Sequence, residues 1–169
     1  LDTLQEVFEN AGEQGEVLVE MAKNSNWKVR WKVAMNPDTP EEVLATLAKD
    51  VSNRVRCAVA TNSNASMKTL EYLAKCHHVQ VRMELAEYPE TPKEIMAILA
   101  EDNNSMAKVY LVENPNVSEE TLAILAEDSS SIIREAVAEH PKTTMDILEK
   151  LASDTDSRVR LCAKDRLNK

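Results

Sequence analysis

The sequence predicts an all-α protein made of about six tandem repeats, each of about 26 residues and two helices. The first observation is the period, because a Val-Arg pair or its equivalent returns at a constant interval along the chain. A fixed period in this range is typical of stacked repeat arrays. The successive openings are Val29-Arg30, Val55-Arg56, Val81-Arg82, Ala107-Lys108, Ile133-Arg134 and Val159-Arg160. The second observation is composition: two glycines and six aromatic residues in 169 favour helices over strands.

The first helix of each repeat, helix A, is predicted at about residues 28 to 35 in the first complete repeat. Val29 and Val33 are four residues apart, so they share one side of a helix, next to Ala34. Apolar residues return at the same positions in the later repeats, which predicts a buried seam. They are Val55, Val59 and Ala60; Val81, Leu85 and Ala86; Ala107, Leu111 and Val112; Ile133, Val137 and Ala138.

A proline turn follows helix A. Pro37 cannot continue the helix, and its ring disfavours helical geometry in the residue before it. Thr39 is then predicted to cap the second helix, helix B, with Pro40 at the first helical position and Glu42 completing a capping box. Repeats further along keep the proline, at Pro89, Pro115 and Pro141, whereas the repeat 53–78 has none.

Helix B is predicted at about residues 40 to 49, with Val43, Leu44 and Leu47 on its buried side. The position of Ala48 is alanine in every repeat: Ala22, Ala48, Ala74, Ala100, Ala126 and Ala152. A side chain that stays this small predicts a close approach of two helices. A larger side chain there would overpack the crossing, typically at a cost of about 1–3 kcal/mol.

The loop after helix B carries an acid at one position and a base six residues later. The pairs are Asp50 and Arg56, Asp102 and Lys108, Asp128 and Arg134, and Asp154 and Arg160. Asn24 and Cys76 replace the acid ahead of Arg30 and Arg82. Charges that follow the repeat period predict a structural ladder rather than a ligand site. We also expect each Asp to accept hydrogen bonds from N–H groups at the start of the next helix A.

The chain is predicted to be a single solenoid domain, residues 1–169. Residues 1–28 are a degenerate N-terminal capping repeat, in which Gly12 and Gly15 replace the proline turn. Residues 29–158 hold five full repeats, and residues 159–169 a C-terminal half repeat. Terminal repeats of such arrays are usually atypical because they present a polar outer face.

The repeats resemble leucine-rich repeat variant repeats, a HEAT-like class of α-solenoid. The stretches that carry the resemblance are VRWKVAMNPDTPEEVLATLAKD at 29–50, VRMELAEYPETPKEIMAILAED at 81–102 and SMAKVYLVENPNVSEETLAILAED at 105–128. The resemblance implies a right-handed superhelix in which one helix of each repeat is short or 3₁₀, and helix A is the candidate. Some members place a cysteine-rich iron–sulfur segment ahead of the repeats. This chain has no cysteine before Cys57, so we expect no cofactor.

The net charge of −9 disfavours a duplex nucleic-acid binder, which needs a basic surface. The charge is uneven, since residues 53–78 sum to +3 and residues 79–156 to −11. Cys57, Cys76 and Cys162 form no closely spaced pair, which fits a reducing compartment. There is also no run of about 18 apolar residues and no secretory signal. These features predict a cytoplasmic protein that does not act at a membrane.

Ligand-type residues occur together at Cys76, His77 and His78, with Cys57 earlier in the same repeat. A structural zinc site needs four ligands, usually from paired short spacings, and adjacent histidines point in different directions. We therefore favour polar loop residues over a metal site. The sequence has no glycine-rich phosphate loop, HExxH or GxSxG motif. We expect no catalytic residue and no enzyme.

The favoured function is a non-enzymatic scaffold that binds a protein or peptide through an extended repeat surface. The alternatives are a HEAT-like nucleic-acid-associated protein or an enzyme without a familiar motif. Aromatic and basic residues interleave in one stretch, which is the feature that supports nucleic-acid binding. They are Trp27, Lys28, Arg30, Trp31 and Lys32, followed one repeat later by Arg54.

The candidate binding surface is the outer side of helix A. The position of Trp31 is apolar in five of six repeats: Trp31, Cys57, Met83, Val109, Glu135 and Leu161. Either these side chains fill the grooves between adjacent A helices, or they form an exposed strip with Trp31 and Tyr110 as anchors. In the second case the neighbouring glutamates favour a basic partner. The predicted partner-binding residues are Trp31, Lys32, Met83, Glu84, Glu87, Val109, Tyr110 and Glu113.

Overall fold

The structure of the protein is a computed structural model that describes residues 14–168. These residues form twelve α-helices and no strand. The helices are α1 (Gln14–Met21), α2 (Trp27–Met35), α3 (Glu41–Leu47), α4 (Asn53–Ala60), α5 (Met67–Ala74), α6 (Val79–Glu87), α7 (Lys93–Ala100), α8 (Ser105–Glu113), α9 (Glu119–Leu125), α10 (Ser131–Glu139), α11 (Met145–Leu151) and α12 (Ser157–Leu167). The even-numbered helices are the A helices and the odd-numbered ones the B helices. The predicted all-α fold of two-helix repeats is confirmed.

Helix A is short but is a regular α-helix, so the expectation of 3₁₀ geometry is wrong. From α2 to α10 the A helices have eight or nine residues, and the B helices from α3 to α11 have seven or eight. Side-chain caps stabilise the first turn of several A helices: Asn26 accepts from the N–H of Lys28, and Asn104 from that of Ala107. A capped first turn favours α-helical hydrogen bonding from the start.

The core is the apolar seam between the A and B helices of each repeat. The predicted helix A positions are buried, with Val33, Leu85 and Val137 all at 0% exposure, although Val29 is half-buried. Leu44 and Leu47 and their equivalents in helix B are buried too. The alanine position is buried at Ala48, Ala74, Ala100 and Ala126, and half-buried at Ala22 and Ala152. The A helices pack on the next A helix, α2 on α4, α8 on α10 and α10 on α12, and α7 packs on α9 in the same way.

The threonine of the proline turn does not cap helix B, contrary to the prediction for Thr39. Its hydroxyl donates to the carbonyl oxygen of Val33 at 2.6 Å. Thr91 does the same to Leu85 at 2.7 Å, and Thr143 to Val137. The residue before α3 is Pro40, and no side chain caps that helix. The hydroxyl therefore satisfies a carbonyl at the C-terminal end of helix A, where the helix leaves carbonyls without an internal partner.

The chain groups into two compact units, a first unit Leu1–Val81 and a second unit Arg82–Lys169. The single-domain organisation stays a prediction, and so does the hand of the superhelix. The part of the capping repeat at residues 1–13, with Gly12, lies outside the described residues. Gly15, which was expected in a turn, lies in the first turn of α1. None of the described helices is long and apolar enough to cross a membrane.

Candidate functional site

A ladder of buried ion pairs follows the loops after helix B. The pairs are Arg30–Asp50, Arg82–Asp102, Lys108–Asp128 and Arg134–Asp154. Arg30 binds Asp50 through Nε and Nη2, at 2.5 and 2.9 Å, and Arg134 binds Asp154 with the same two nitrogens at 2.7 and 2.8 Å. The aspartate side chains are only 4–8% exposed. Two parallel charge-assisted hydrogen bonds give such a pair a fixed geometry.

The predicted ladder exists, but the carboxylate of Asp128 does not pair with Arg134. Arg134 donates through Nη1 to the main-chain carbonyl of Asp128 at 2.7 Å, while its carboxylate partner is Asp154, twenty residues later. Asp128 Oδ1 also accepts from the main-chain N–H of Ser130 at 2.8 Å, as expected for this position. Each ladder arginine of this kind ties the loop before its helix to the loop that ends its repeat.

The ladder is interrupted in the repeat 53–78. Cys76 stands twenty residues after Arg56, at the position where the other loops carry the aspartate. Arg56 is 5% exposed, and its terminal nitrogens donate to the main-chain carbonyl of Asp50 and to the side chain of Asn53. In the part of the chain that the structure describes, its Nε is the one buried side-chain nitrogen or oxygen without a hydrogen-bond partner. This one buried N–H group therefore carries the desolvation cost of an unmade hydrogen bond.

A cavity of about 640 Å³, which we call the basic cavity, lies beside this guanidinium. Its lining residues are Lys49, Arg56, Lys68, Glu71, Tyr72, Lys75, Cys76, His77 and His78. Four basic side chains against one carboxylate give the lining a formal charge of +3 when both histidines are neutral. Burial, together with the positive charge of Arg56, lowers the pKa of His78. The cavity is therefore a site of positive potential in a chain whose net charge is negative.

The local contacts in the basic cavity do not assemble a metal site. Cys76 Sγ donates to the main-chain oxygen of His78 at 3.7 Å, and the rings of His77 and His78 lie 3.8 Å apart at 41°. Within residues 14–168, the one group of three side chains whose ligand atoms lie within 4.8 Å of one another is Glu135, Glu139 and Cys162. The four candidates Cys57, Cys76, His77 and His78 thus do not converge on one point.

The second group of ligand-type residues, around Cys162, holds a protonated thiol. Burial and the carboxylates of Glu139 and Glu135 raise the pKa of Cys162, and its Sγ donates to Glu139 Oε1 at 3.7 Å. A thiol that donates to a carboxylate is poorly suited to bind metal, because metal binding needs the thiolate.

The eight predicted partner-binding residues are accessible to different degrees. Trp31 and Lys32 lie on α2 in the first unit, and the other six lie on α6 and α8 in the second. Four of these side chains are half-buried: Trp31, Met83, Val109 and Tyr110. The other four are exposed: Lys32, Glu84, Glu87 and Glu113. The apolar members therefore belong neither to the core nor to a fully exposed strip, and both interpretations of this surface stay predictions.

The interleaved aromatic and basic residues near Trp27 are partly used by the fold itself. Arg30 is held by Asp50 in the ladder. Arg54 lies over the ring of Trp27, with its guanidinium carbon 4.9 Å from the ring centre. Lys28, Lys32 and Arg54 are exposed, so Arg30 is the base of this stretch that the ladder withholds from contact with phosphates.

A solved structure described as a leucine-rich repeat variant with a novel repetitive protein structural motif is similar to this chain. The two share 22% sequence identity over 89% of this chain and 70% of that chain, with a TM-score of 0.45. No family model and no curated protein matches the sequence. The similar structure bears the name of the repeat class that the sequence resembles.

Proposed function

We propose that the protein is a non-enzymatic scaffold that binds a basic protein or peptide segment on the A-helix surface of its second unit. The observation that carries the proposal is the composition of that surface. Met83, Val109 and Tyr110 are half-buried, so part of each side chain faces solvent, and Glu84, Glu87 and Glu113 are exposed on the same helices. An aromatic anchor beside apolar area and a charged rim is the usual composition of a binding hot spot.

These side chains lie outside the buried seam and the ladder. The buried seam and the ladder use other positions of the same helices, such as Leu85 and Leu111 in the core and Lys108 in the ladder. In a repeat protein, positions outside the framework are those that vary with the partner. The three cysteines form no disulfide within the described residues, which fits our proposal of a cytoplasmic location.

The charge of the surface selects a basic partner. Residues 79–156 sum to −11, and burial together with the charge of Glu87 raises the pKa of Glu84. Burial is the larger of the two causes, and the contribution of Glu87 reflects repulsion between two neighbouring carboxylates. Lysine or arginine side chains from a partner would relieve this repulsion and would steer the partner to the surface.

The test is selection of binders from a peptide library that contains equal numbers of basic, neutral and acidic sequences. We expect basic sequences to be enriched, and the selected peptide to bind Tyr110→Ala at least about tenfold more weakly than the wild type. Tyr72→Ala is the matched control, because Tyr72 is a 47% exposed tyrosine of the first unit. Enrichment of neutral or acidic sequences, or equal binding by Tyr110→Ala, would contradict the proposal.

A further inference from the structure

The intact repeats show which group a ladder arginine binds. Arg30 and Arg134 each hold a carboxylate with Nε and Nη2 while Nη1 donates to a main-chain carbonyl. In the repeat 53–78 the main-chain contact of Arg56 is kept, but the chain places Cys76 where the carboxylate belongs. The Nε of Arg56 stays without a partner. The fold therefore positions a guanidinium for an oxyanion that the chain does not supply.

The basic cavity gives an external oxyanion room beside Arg56. A cysteine side chain has one heavy atom beyond Cβ where aspartate has three, so the position of the carboxylate is only partly filled. Lys49, Lys68 and Lys75 add three flexible ammonium groups at the same cavity, and all three side chains are exposed. Arg56 offers its unpartnered Nε–H, since its terminal nitrogens already donate to Asp50 and Asn53. The lysines supply mobile point charges, so donors of both kinds can reach one tetrahedral oxyanion.

The charge of the basic cavity favours a phosphoryl group over a carboxylate. In an intact repeat one carboxylate neutralises the charge of one base, whereas the lining of the basic cavity carries a formal charge of +3. A phosphate monoester carries a charge of about −1.5 to −2 at pH 7 and three acceptor oxygens. It therefore neutralises more of this charge, and it can accept from Arg56 and from a lysine at the same time.

We propose that the basic cavity binds the phosphoryl group of an organic phosphate monoester, which takes the place of the missing ladder carboxylate. Tyr72 supplies the surface for the organic part of the ligand. Tyr72 is 47% exposed, and Lys49 Nζ lies 5.8 Å from the centre of its ring. The site shares no residue with the acidic surface of the second unit, so it adds a ligand to the scaffold function proposed above.

The experiment measures the binding of inorganic phosphate and of phenyl phosphate to the full chain by calorimetry, with sodium chloride holding the ionic strength constant. We expect saturable binding at one site, tighter for phenyl phosphate. Cys76→Asp should weaken both at least about tenfold, because an internal carboxylate then occupies Arg56. Four other loops hold aspartate at this position, so the variant is compatible with the fold. Cys76→Ser keeps the room without adding a charge and should bind like the wild type.

Two further variants separate a built site from general charge attraction. Lys75→Ala should weaken phosphate binding, whereas Lys93→Ala, an exposed lysine of the second unit, should leave it unchanged. Equal affinity of the wild type and Cys76→Asp would overturn the proposal, as would equal losses from Lys75→Ala and Lys93→Ala. Equal affinity for the two probes would assign the site to free phosphate and overturn the role of Tyr72. Binding of the selected basic peptide is measured on the same variants, so failure of the scaffold proposal is recognised separately.

Discussion

The repeat 53–78 and the repeats of the second unit bury similar apolar seams but differ at their polar positions. The second unit has three ladder pairs, Arg82–Asp102, Lys108–Asp128 and Arg134–Asp154, and a threonine hydroxyl on the end of helix A at Thr91 and Thr143. The repeat 53–78 has Cys76 and Ser63 where the repeats of the second unit have aspartate and proline, and Ala65 where two of those repeats have threonine. Val55, Val59 and Leu73 are nevertheless 0% exposed. The apolar seam is thus kept although these three polar positions differ.

The largest expected difference between the two regions concerns the ladder arginines. Arg134→Met leaves the buried carboxylate of Asp154 without its cation and should cost about 3–5 kcal/mol of unfolding free energy. Arg56→Met removes a buried cation that has no carboxylate partner and should cost clearly less. Urea unfolding of both variants gives the two values. Equal losses of unfolding free energy would mean that the interactions of Arg56 stabilise the fold as much as those of Arg134. The contrast between the two regions would then be refuted.

Acid should weaken the second unit through Asp154. The hydrogen bonds from Arg134 lower the pKa of Asp154 from 3.8 to about 2. Because the folded value lies below the unfolded value, the stabilisation is present above pH 4 or so and is lost as the pH falls towards about 2. This loss amounts to about 2 kcal/mol of unfolding free energy. Unfolding free energies measured between these pH values should fall in the wild type, and Asp154→Asn should lack this component. A variant with the same acid dependence as the wild type would refute the assignment.

The sequence establishes the positions at which the charges of the ladder recur, but not which acid pairs with which base. An acid six residues before a base and an acid twenty residues after it occupy the same position in consecutive repeats. Periodicity therefore cannot distinguish Asp128 from Asp154 as the partner of Arg134. In the structure, the guanidinium of Arg134 donates both to the main-chain carbonyl of Asp128 and to the carboxylate of Asp154. The apolar seam carries no such ambiguity, which is why Val33, Leu85 and Leu44 were predicted correctly.

Restoring the ladder in the repeat 53–78 should stabilise the protein. Cys76→Asp gives Arg56 a carboxylate and should raise the unfolding free energy by about 1.5 kcal/mol, within the range for hydrogen bonds to charged groups. Cys162→Asp is the matched control, because it places a carboxylate beside Glu135 and Glu139 and should destabilise. Thermal melts at one pH compare the two variants. A fall in stability for Cys76→Asp would show that Arg56 cannot reach residue 76.

The basic cavity was visible in the sequence only as separate signals. Residues 53–78 carry a net charge of +3, and Cys76 occupies the position of the aspartate. Only the geometry of the ladder in the structure shows that both features belong to one site beside Arg56. The pattern Thr39-Pro40 likewise matches a helix start so well that its alternative partner, the carbonyl of Val33, was not foreseen. The basic cavity brings Arg56 of α4 near Cys76 in the loop after α5, and the hydrogen bond of Thr39 joins a turn to α2. The packing of these elements, rather than a local preference of the sequence, sets the distances.

The smallest expected effect concerns the turn threonine, which the repeat 53–78 lacks. Thr91→Ala removes the hydroxyl that donates to Leu85 and should cost about 1 kcal/mol, since a buried carbonyl loses a partner. Thr46 is an exposed threonine whose hydroxyl donates within its own helix, to Glu42 at 3.0 Å, so Thr46→Ala should cost less. Urea unfolding distinguishes the two. If Thr91→Ala is as stable as the wild type, the Thr91 hydroxyl adds nothing to the unfolding free energy. The repeat 53–78 then loses no stability by having Ala65 at this position.

The double role of each ladder arginine has a consequence for how such a chain changes length during evolution. Arg134 needs one carbonyl from the loop before it and one carboxylate from the loop after it, and both lie within one period. Duplication or loss of one whole repeat recreates the same neighbours at the junction. An insertion of any other length within a helix separates the base from one of its two partners. Gain and loss of whole repeats is therefore the change of length that the ladder tolerates.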